Sequence, residues 1–406
     1  MKTNYDLIVI GGGAAGFFGA ITAKAVNPNM SVLLLEKSGA LLSKVKVSGG
    51  GRCNVTHACF DPIQLAKNYP RGGKELIGPF HRFQPRDTVD WFESRRVKLK
   101  AEEDGRMFPI TDSSQTIIDC LMAEARKLKV EIHTLQRLES VELKDGKFAI
   151  KLTKGDTLEC NYLLLATGSS PQGHEIARSL GHSIQETVPS LFTFNVPNSP
   201  MKGLEGIAVE EANVQILDSP YTQKGPVLIT HWGFSGPAAL KLSAWGARFL
   251  HSKNYKVAIS INWLPKISKA SLQETLRKIR KENPSQMLTT ANPFALPKNL
   301  WRRLLELEQL ETKRFSDMSN DGIEKLSNRL NGDIYEVDGK TTYKEEFVTC
   351  GGVTLSEVDF KTMQSKICPK LYFAGEVLDI DAITGGFNFQ NAWTTAWIAG
   401  NSMEKF

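Results

Sequence analysis

The 406-residue chain holds no C-x-x-C pair; its six cysteines, Cys53, Cys59, Cys120, Cys160, Cys350 and Cys368, are scattered. Its seven histidines show no zinc-ligand spacing. These absences exclude a dithiol redox motif and a zinc site of ordinary spacing, and the simplest reading is reduced thiols in a cytoplasmic protein. No apolar run approaches the ~18 residues of a membrane span. No basic segment leads into a small-residue cleavage site, so no secretory signal is expected. There is no internal repeat and no low-complexity tract. Net charge is small, +6 from 50 Lys and Arg against 44 Asp and Glu. The excess is local: residues 241–340 hold 18 basic and 11 acidic residues, which leaves the rest of the chain at −1. Such a segment marks a nucleic-acid or phosphate partner, or simply a solvated face. Leu272, Leu276 and Ile279 recur at helical spacing around Arg277-Lys278-Ile279-Arg280-Lys281, which favours the solvated face. No aromatics interleave there to stack bases.

What is present is ordinary globular composition: 41% hydrophobic, 23% charged, 33 glycines and 18 prolines. The length suggests two or three domains. Tyr5–Ile10 is an apolar β-branched run, Ala14–Ala25 reads as a helix, and Ser31–Leu35 is a second buried run. Together they form a βαβ unit. Residues 41–60 are Gly-rich and irregular. Asp87–Arg96 and Gln115–Lys127 read as helices and Val130–Thr134 as a strand. Glu139–Leu143, Phe148–Thr153 and Thr157–Cys160 form a meander, with Asp145-Gly146 and Gly155-Asp156 as turns. Tyr162–Ala166 then runs into Thr167-Gly168. Pro189, Pro197 and Pro200 mark a change of pattern. Strands are expected at Val209–Leu217, Val227–Thr230 and Tyr255–Trp263, and helices at Ser271–Glu282, Leu300–Leu310 and Asp321–Leu330. The α/β pattern of the N-terminal part returns at Tyr343, with a strand at Leu371–Ala374 and a helix near Gln390–Met403. The expected divisions are residues 1–190, an insertion 191–342 with a helical part near 264–330, and 343–406.

Gly11, Gly13 and Gly16 form a G-x-G-x-x-G between a strand and a helix, and Glu36 closes the next strand. Glycines there permit a tight turn and close approach to a pyrophosphate, which the helix N-terminus attracts. An acid at Glu36 would accept from ribose hydroxyls and favours FAD or NAD over NADP. Ser48-Gly49-Gly50-Gly51-Arg52-Cys53-Asn54 exposes successive backbone N–H groups, an anion-binding concavity to which Arg52, Lys44 and Lys46 add charge. Cys53 reads as a buried inert thiol before a redox one. A strand ending in Ala166-Thr167-Gly168 suits a return to the cofactor. Tyr372–Asp379 is a strand ending in Gly375-Glu376, with Asp379 beyond. Gly385-Gly386-Phe387-Asn388 opens a helix whose N-terminus would stabilise a reduced flavin. Thr230–Pro237 is a turn in which His231 is a candidate acid or base. Trp232 and Phe234 either wall an apolar substrate pocket or belong to the core.

Four segments, 48–56, 229–240, 348–353 and 371–400, together resemble the aminoacetone-oxidase/BaiN-like family of FAD-binding oxidoreductases over essentially the whole chain. The resemblance implies an α/β fold: a Rossmann-like FAD-binding domain, a doubly wound parallel sheet plus β-meander, discontinuous and interrupted by a β-barrel-like and helical insertion. It places Gly11, Gly13 and Gly16 at the pyrophosphate, with Ala14 and Ala15, and Glu36 at the adenosine ribose, with Lys37. Lys44, Ser48, Gly49, Gly50, Arg52, Cys53 and Asn54 lie along the FAD, and Ala166, Thr167 and Gly168 close over it. Gly375, Glu376 and Asp379 take the ribityl side. Gly385, Gly386, Phe387 and Asn388 meet the isoalloxazine, with Ala392 behind them. The family often has a longer loop after A-T-G than Gly168–His174 here, and Gly and Ala where this chain has Leu42 and Cys350.

The resulting expectation is a cytoplasmic FAD-dependent oxidoreductase without a metal. NAD(P)H is the transient donor and a small molecule, such as an enone, the acceptor. The alternatives are an amine oxidase using oxygen, an RNA-binding or RNA-modifying flavoprotein, and a redox-sensing flavoprotein that is not an enzyme. Nucleic acid is the less expected partner, and the oligomeric state is open.

Overall fold

The computed structural model describes residues 3–341 and 348–403. They form two compact units, one of residues 3–188 with 348–403 and one of residues 189–341. Tyr343, where the α/β pattern is expected to resume, lies outside the described residues.

In the first unit, β1 (Asn4–Ile10), α1 (Ala14–Val26) and β2 (Val32–Leu35) make the βαβ unit. β1 runs parallel to β2, with Leu7 beside Val32 and Ile10 beside Leu35. On its other side lies Thr157–Leu165, also parallel, with Ile8 beside Leu163. Leu371–Phe373 and Glu131–His133 extend the parallel core to either side. Leu33, Leu34, Leu163 and Leu164 are fully buried, so these strands read as continuous apolar runs rather than alternating ones. Thr157–Cys160 and Tyr162–Ala166, expected as two strands, are one strand, Thr157–Leu165. Its first half pairs antiparallel with Lys147–Leu152 while it also follows β1 from Asn4 to Ile10. No turn residue interrupts that second ladder, so the strand continues through Asn161.

Helix starts in this protein differ in how they are capped. Ser113, Ser268 and Ser319 each cap a helix by accepting a backbone N–H with the side chain. By contrast, α1 begins at Gly13 and the Phe387–Ser402 helix at Gly386, and neither residue has a side chain to cap with. First-turn N–H groups are thereby left for other acceptors.

The second unit is built on a seven-stranded antiparallel sheet. Its order is Asp333–Asp338, Lys256–Asn262, Ala208–Ile216, Thr222–Ile229, Gly233–Ser235, Thr193–Asn195, Lys340–Thr341. The first and last of these strands are separated in the chain by Gly339 alone, so the sheet curls until its edges meet. Gly339 donates to the Tyr255 carbonyl (2.9 Å) and accepts from Asn195 (3.1 Å) at that seam. Helices Pro237–Trp245, Ala247–Ser252, Lys269–Glu282, Lys298–Leu307 and Asn320–Gly332 belong to the same unit. Phe234 packs on Tyr335 and Trp263 in the core. Asp333 is buried there and accepts from Trp263 Nε1 (3.1 Å), Arg329 Nη1 (2.8 Å) and the Tyr335 hydroxyl. Burial pushes its carboxyl up, against the pull of these donors. On Lys269–Glu282 only Leu272 and Leu276 are fully buried, and Arg277, Lys278 and Lys281 lie on its polar side.

Candidate cofactor site

The glycines of the first turn do different work. A Cβ on Gly16 would lie 1.8 Å from the Gly11 carbonyl oxygen, and one on Gly11 2.3 Å from that of Ala166. Both positions are closed to any side chain. A Cβ on Gly13 would meet nothing within 4 Å, so this residue faces open space. Glu36 braces the turn: Oε2 accepts from Gly12 N–H and Oε1 from Ser38 N–H, each at 2.8 Å. Lys37 Nζ reaches Ser170 Oγ at 2.9 Å. After Thr167-Gly168, the expected loop Gly168–His174 is shorter still, because a helix begins at Pro171. Proline at the first helical position presets φ and needs no N–H partner.

The Gly-rich stretch lies in α2 (Ser43–Gly51), which is not a regular helix. Ser48 is extended, and Gly49, Gly50 and Gly51 are all left-handed, with φ of +58°, +66° and +84°. Side chains at Gly50 or Gly51 would also enter open space. Lys44 forms a 2.5 Å ion pair with Glu376. Arg52 is turned to other partners: Glu102 at 2.6 Å, Asp112 at 3.6 Å, and the face of Phe108 at 4.0 Å. Its charge is matched by these carboxylates. Cys53 is fully buried, and burial pushes its thiol up to about 12. The thiolate is the reactive form. Burial raises the Cys59 thiol too, but this residue is part-exposed, so iodoacetamide at pH 8 should label Cys59 slowly and leave the fully buried Cys53 unmodified in the folded protein, a pattern that peptide mass mapping reads directly. Asn54, with its amide oriented to satisfy its neighbours, accepts from Gly386 N–H (3.0 Å) and donates to the Thr56 carbonyl (2.9 Å). It ties the two glycine turns together.

The third part of the site is anchored from several sides. Gly375 N–H donates to Thr395 Oγ1 (2.9 Å), which donates to the Asn391 carbonyl (2.6 Å). A Cβ on Gly375 would lie 3.0 Å from that of Ala15 and 3.7 Å from that of Ala392, so α1 and the Phe387–Ser402 helix both reach this turn. Asp379 N–H donates to the Val353 carbonyl (3.1 Å). Both amide atoms of Asn388 are engaged by the Ala382 backbone. The Phe387 carbonyl accepts from Tyr69 OH (2.6 Å), and its ring stacks on His57 at 4.6 Å. Gly385 and Gly386 are left-handed, and a Cβ on Gly386 would strike the Thr56 carbonyl at 2.5 Å. Gln390 is buried and accepts from Thr56 Oγ1 (2.6 Å) and Thr88 Oγ1 (2.9 Å). Arg71 makes two hydrogen bonds to the fully buried Asp381. Tyr69, Arg71 and Thr88 carry no motif, and sequence reasoning missed them; Gln390 lies in the 371–400 segment but carries no expected role there.

His231 and Trp232 belong to the second unit. His231 is 83% exposed with Glu205 3.8 Å away, and Trp232 is 58% exposed. The two aromatics of that turn thus divide, Phe234 in the core and Trp232 at the surface.

The HI0933-like protein Rossmann domain family matches residues 5–402. The chain belongs to this family. An Escherichia coli (strain K12) protein named ribosomal RNA dihydrouridine synthase is 30% identical to this HI0933-like chain over 98% of each. A Clostridium scindens protein named 3-dehydro-bile acid delta(4,6)-reductase is 26% identical over 97% of this chain and 98% of its own. Among solved structures, the 3-ketosteroid-delta4-(5alpha)-dehydrogenase from Rhodococcus jostii RHA1 superposes with a TM-score of 0.52 over 98% of this chain and 96% of its own. At 14% identity that likeness shows the fold alone. This HI0933-like protein is an FAD-dependent oxidoreductase. Its residues fit that cofactor. Open space lies over Gly13, Gly50 and Gly51, and no acidic residue occupies the first turn of either Gly-capped helix to repel an anion. Among the described residues no cluster of metal-ligating side chains occurs, and no helix is long and apolar enough to cross a membrane.

Proposed function

We propose that this protein reduces a carbon–carbon double bond conjugated to a carbonyl group. The observation that carries the reading is chemical. Two relatives matched over nearly their full length are named for such substrates. Dihydrouridine is uridine saturated at the ring bond conjugated to a carbonyl, and a delta(4,6)-reductase of a 3-oxo steroid acts on the same kind of system.

When bound, FAD supplies hydride transfer between two organic partners. The chain's own residues bind, orient and exclude. Backbone N–H groups of Gly13–Gly16 meet the pyrophosphate over the open face of Gly13. Glu36, already fixed by Gly12 and Ser38, offers its remaining lone pairs to the adenosine ribose. Lys44, Glu376 and Asp379 line the ribityl chain. The N-terminus of the Phe387–Ser402 helix directs positive potential at the isoalloxazine, held there by Asn54, Tyr69 and Gln390. Asn388 orients the turn through Ala382. NAD(P)H is the proposed donor. His231 is the exposed acid–base candidate of the insertion.

A small enone is one source of the double bond. The other is the uracil of an RNA strand, favoured by the 30% identical relative and by the basic excess of residues 241–340. Anaerobic stopped-flow spectroscopy tests both. The flavin should bleach with NADH or NADPH and recolour with an enone or with uridine-containing ribosomal RNA. Recolouring by RNA alone, with binding that weakens steeply as salt rises, selects uracil. Bleaching only by an amine, or no bleaching by any donor, overturns the proposal.

A further inference from the structure

Within the first unit a carboxylate, an imidazole and a hydroxyl form a buried relay. The His182 side chain is fully buried. Its Nδ1 lies 2.9 Å from Glu357 Oε2 and its Nε2 2.7 Å from Ser365 Oγ. Glu357 Oε2 also accepts from Ser183 N–H (3.0 Å). Ser365 Oγ accepts from Ile367 N–H (3.0 Å) and Cys368 N–H (2.7 Å). The Phe373 ring meets the imidazole edge to face, with centroids 4.8 Å apart. The segment that Ser365 fastens has a surface of its own. Ile367, Cys368 and Pro369 wall a cavity of about 870 Å³, opposite Val141, Ile176 and Leu180. Cys368 is nevertheless buried.

A carboxylate only accepts, so Nδ1 carries the proton of the neutral ring and Nε2 accepts the Ser365 hydroxyl hydrogen. Both lone pairs of Oγ then serve the two backbone N–H groups. A second proton on His182 breaks this arrangement. Nε2 becomes a donor, three N–H groups face two lone pairs, and the hydroxyl hydrogen loses its acceptor. Glu357 keeps its hold on the charged ring, so the bonds that give way are those to Ile367 and Cys368. Burial pushes the His182 imidazole down, and the hydrogen bond and charge of Glu357 oppose this only in part. The other charged groups on adjoining segments are turned elsewhere. Lys366 Nζ donates to the Ser356 carbonyl (2.9 Å), Asp359 Oδ1 accepts from Lys361 N–H (2.9 Å), and Arg178 is exposed at the end of the Pro171–Ser179 helix. We propose that His182 is a proton-operated latch, which fastens residues 365–369 when neutral and releases them, opening the cavity wall, when charged. The unfolded chain takes this proton more readily than the relay does. The latch is therefore whole above about pH 6.5 and weakens as pH falls below it.

Cys368 reports the position of the segment. The full-length, FAD-loaded protein is treated with dithiodipyridine between about pH 7.5 and about pH 5.5, and peptide mass mapping follows Cys368. Each rate is divided by that of the urea-unfolded chain at the same pH, which removes the thiol's own pH dependence. In wild type this ratio should rise at least about tenfold in acid while tryptophan fluorescence stays native. His182→Gln cannot take up the proton, so its ratio should be the same at both ends of the range, whether its segment lies open or closed. Glu357→Gln removes the carboxylate that favours the charged ring, so its rise should need a lower pH than that of wild type. A wild-type ratio that ignores pH overturns the proposal, as does an acid rise that persists in His182→Gln or that comes only with loss of the native fluorescence. If His182→Gln does not fold, Glu357→Gln decides: a rise at unchanged or higher pH overturns the latch.

Discussion

Gly13→Val should fold and yet fail to hold FAD. The position is extended, with φ −93° and ψ −169°, which valine tolerates, and a Cβ there meets no protein atom within 4 Å. Loss of glycine as the helix cap should cost the apoprotein no more than about 1 kcal/mol. The added isopropyl group occupies the space proposed for the pyrophosphate. FAD affinity should fall by about 100-fold or more, roughly 2.7 kcal/mol. Isothermal titration of apoprotein with FAD, beside a thermal melt, separates the two effects. Gly16→Ala is the opposite case: its Cβ would lie 1.8 Å from the Gly11 carbonyl oxygen, so the unit itself should fail to assemble. If Gly13→Val binds FAD as wild type does, the cofactor does not lie over Gly13.

Asp381→Ala should be among the most destabilising substitutions in the first unit. The carboxylate is fully buried, and the Arg71 side chain it pairs with is only 13% exposed. Removing the carboxylate takes the nearest counter-charge from a largely buried guanidinium, a loss of about 3–5 kcal/mol. Replacing both, as Arg71→Met with Asp381→Leu, should recover most of that loss, because neither member of the pair is left behind. Urea unfolding followed by tryptophan fluorescence gives the comparison. A wild-type midpoint for Asp381→Ala would show the pair contributes nothing. The bridge also joins the segment before Gly72 to the loop entering the Phe387–Ser402 helix, so FAD retention should weaken in the single variant and return in the double one.

The features legible in the sequence are those whose cause is local. The buried run of β1, the glycine turn after it and Glu36 at the end of β2 all lie within 36 residues. Short-range sterics and burial decide them. Features built across the chain were not legible. Lys44 and Glu376 are 332 positions apart, and Arg71 and Asp381 are 310 apart. Neither pair has a spacing to find. The three-stranded sheet of Thr56–His57, Arg106–Pro109 and Leu99–Ala101 escaped notice because its strands are too short to show a period. Trp232 and Phe234 sit two positions apart and share apolar character. Only the strand Gly233–Ser235 decides that Phe234 turns inward and Trp232 stays in water.

The split of the first unit has a consequence for how the protein is made. β1 and β2 leave the ribosome early, but Leu371–Phe373 and the Phe387–Ser402 helix follow more than 330 residues later. At ~5–20 residues per second that is a wait of roughly 17–70 s. Until it ends Asn54 lacks its Gly386 partner, and the Thr157–Leu165 strand, once made, keeps one edge open. Residues 189–343, whose sheet closes on itself, need not wait. Assembly of the first unit thus waits for its last segments, and a nascent chain stalled before residue 371 leaves the Leu163–Leu165 stretch of an apolar strand open along one edge, the kind of edge on which chains aggregate.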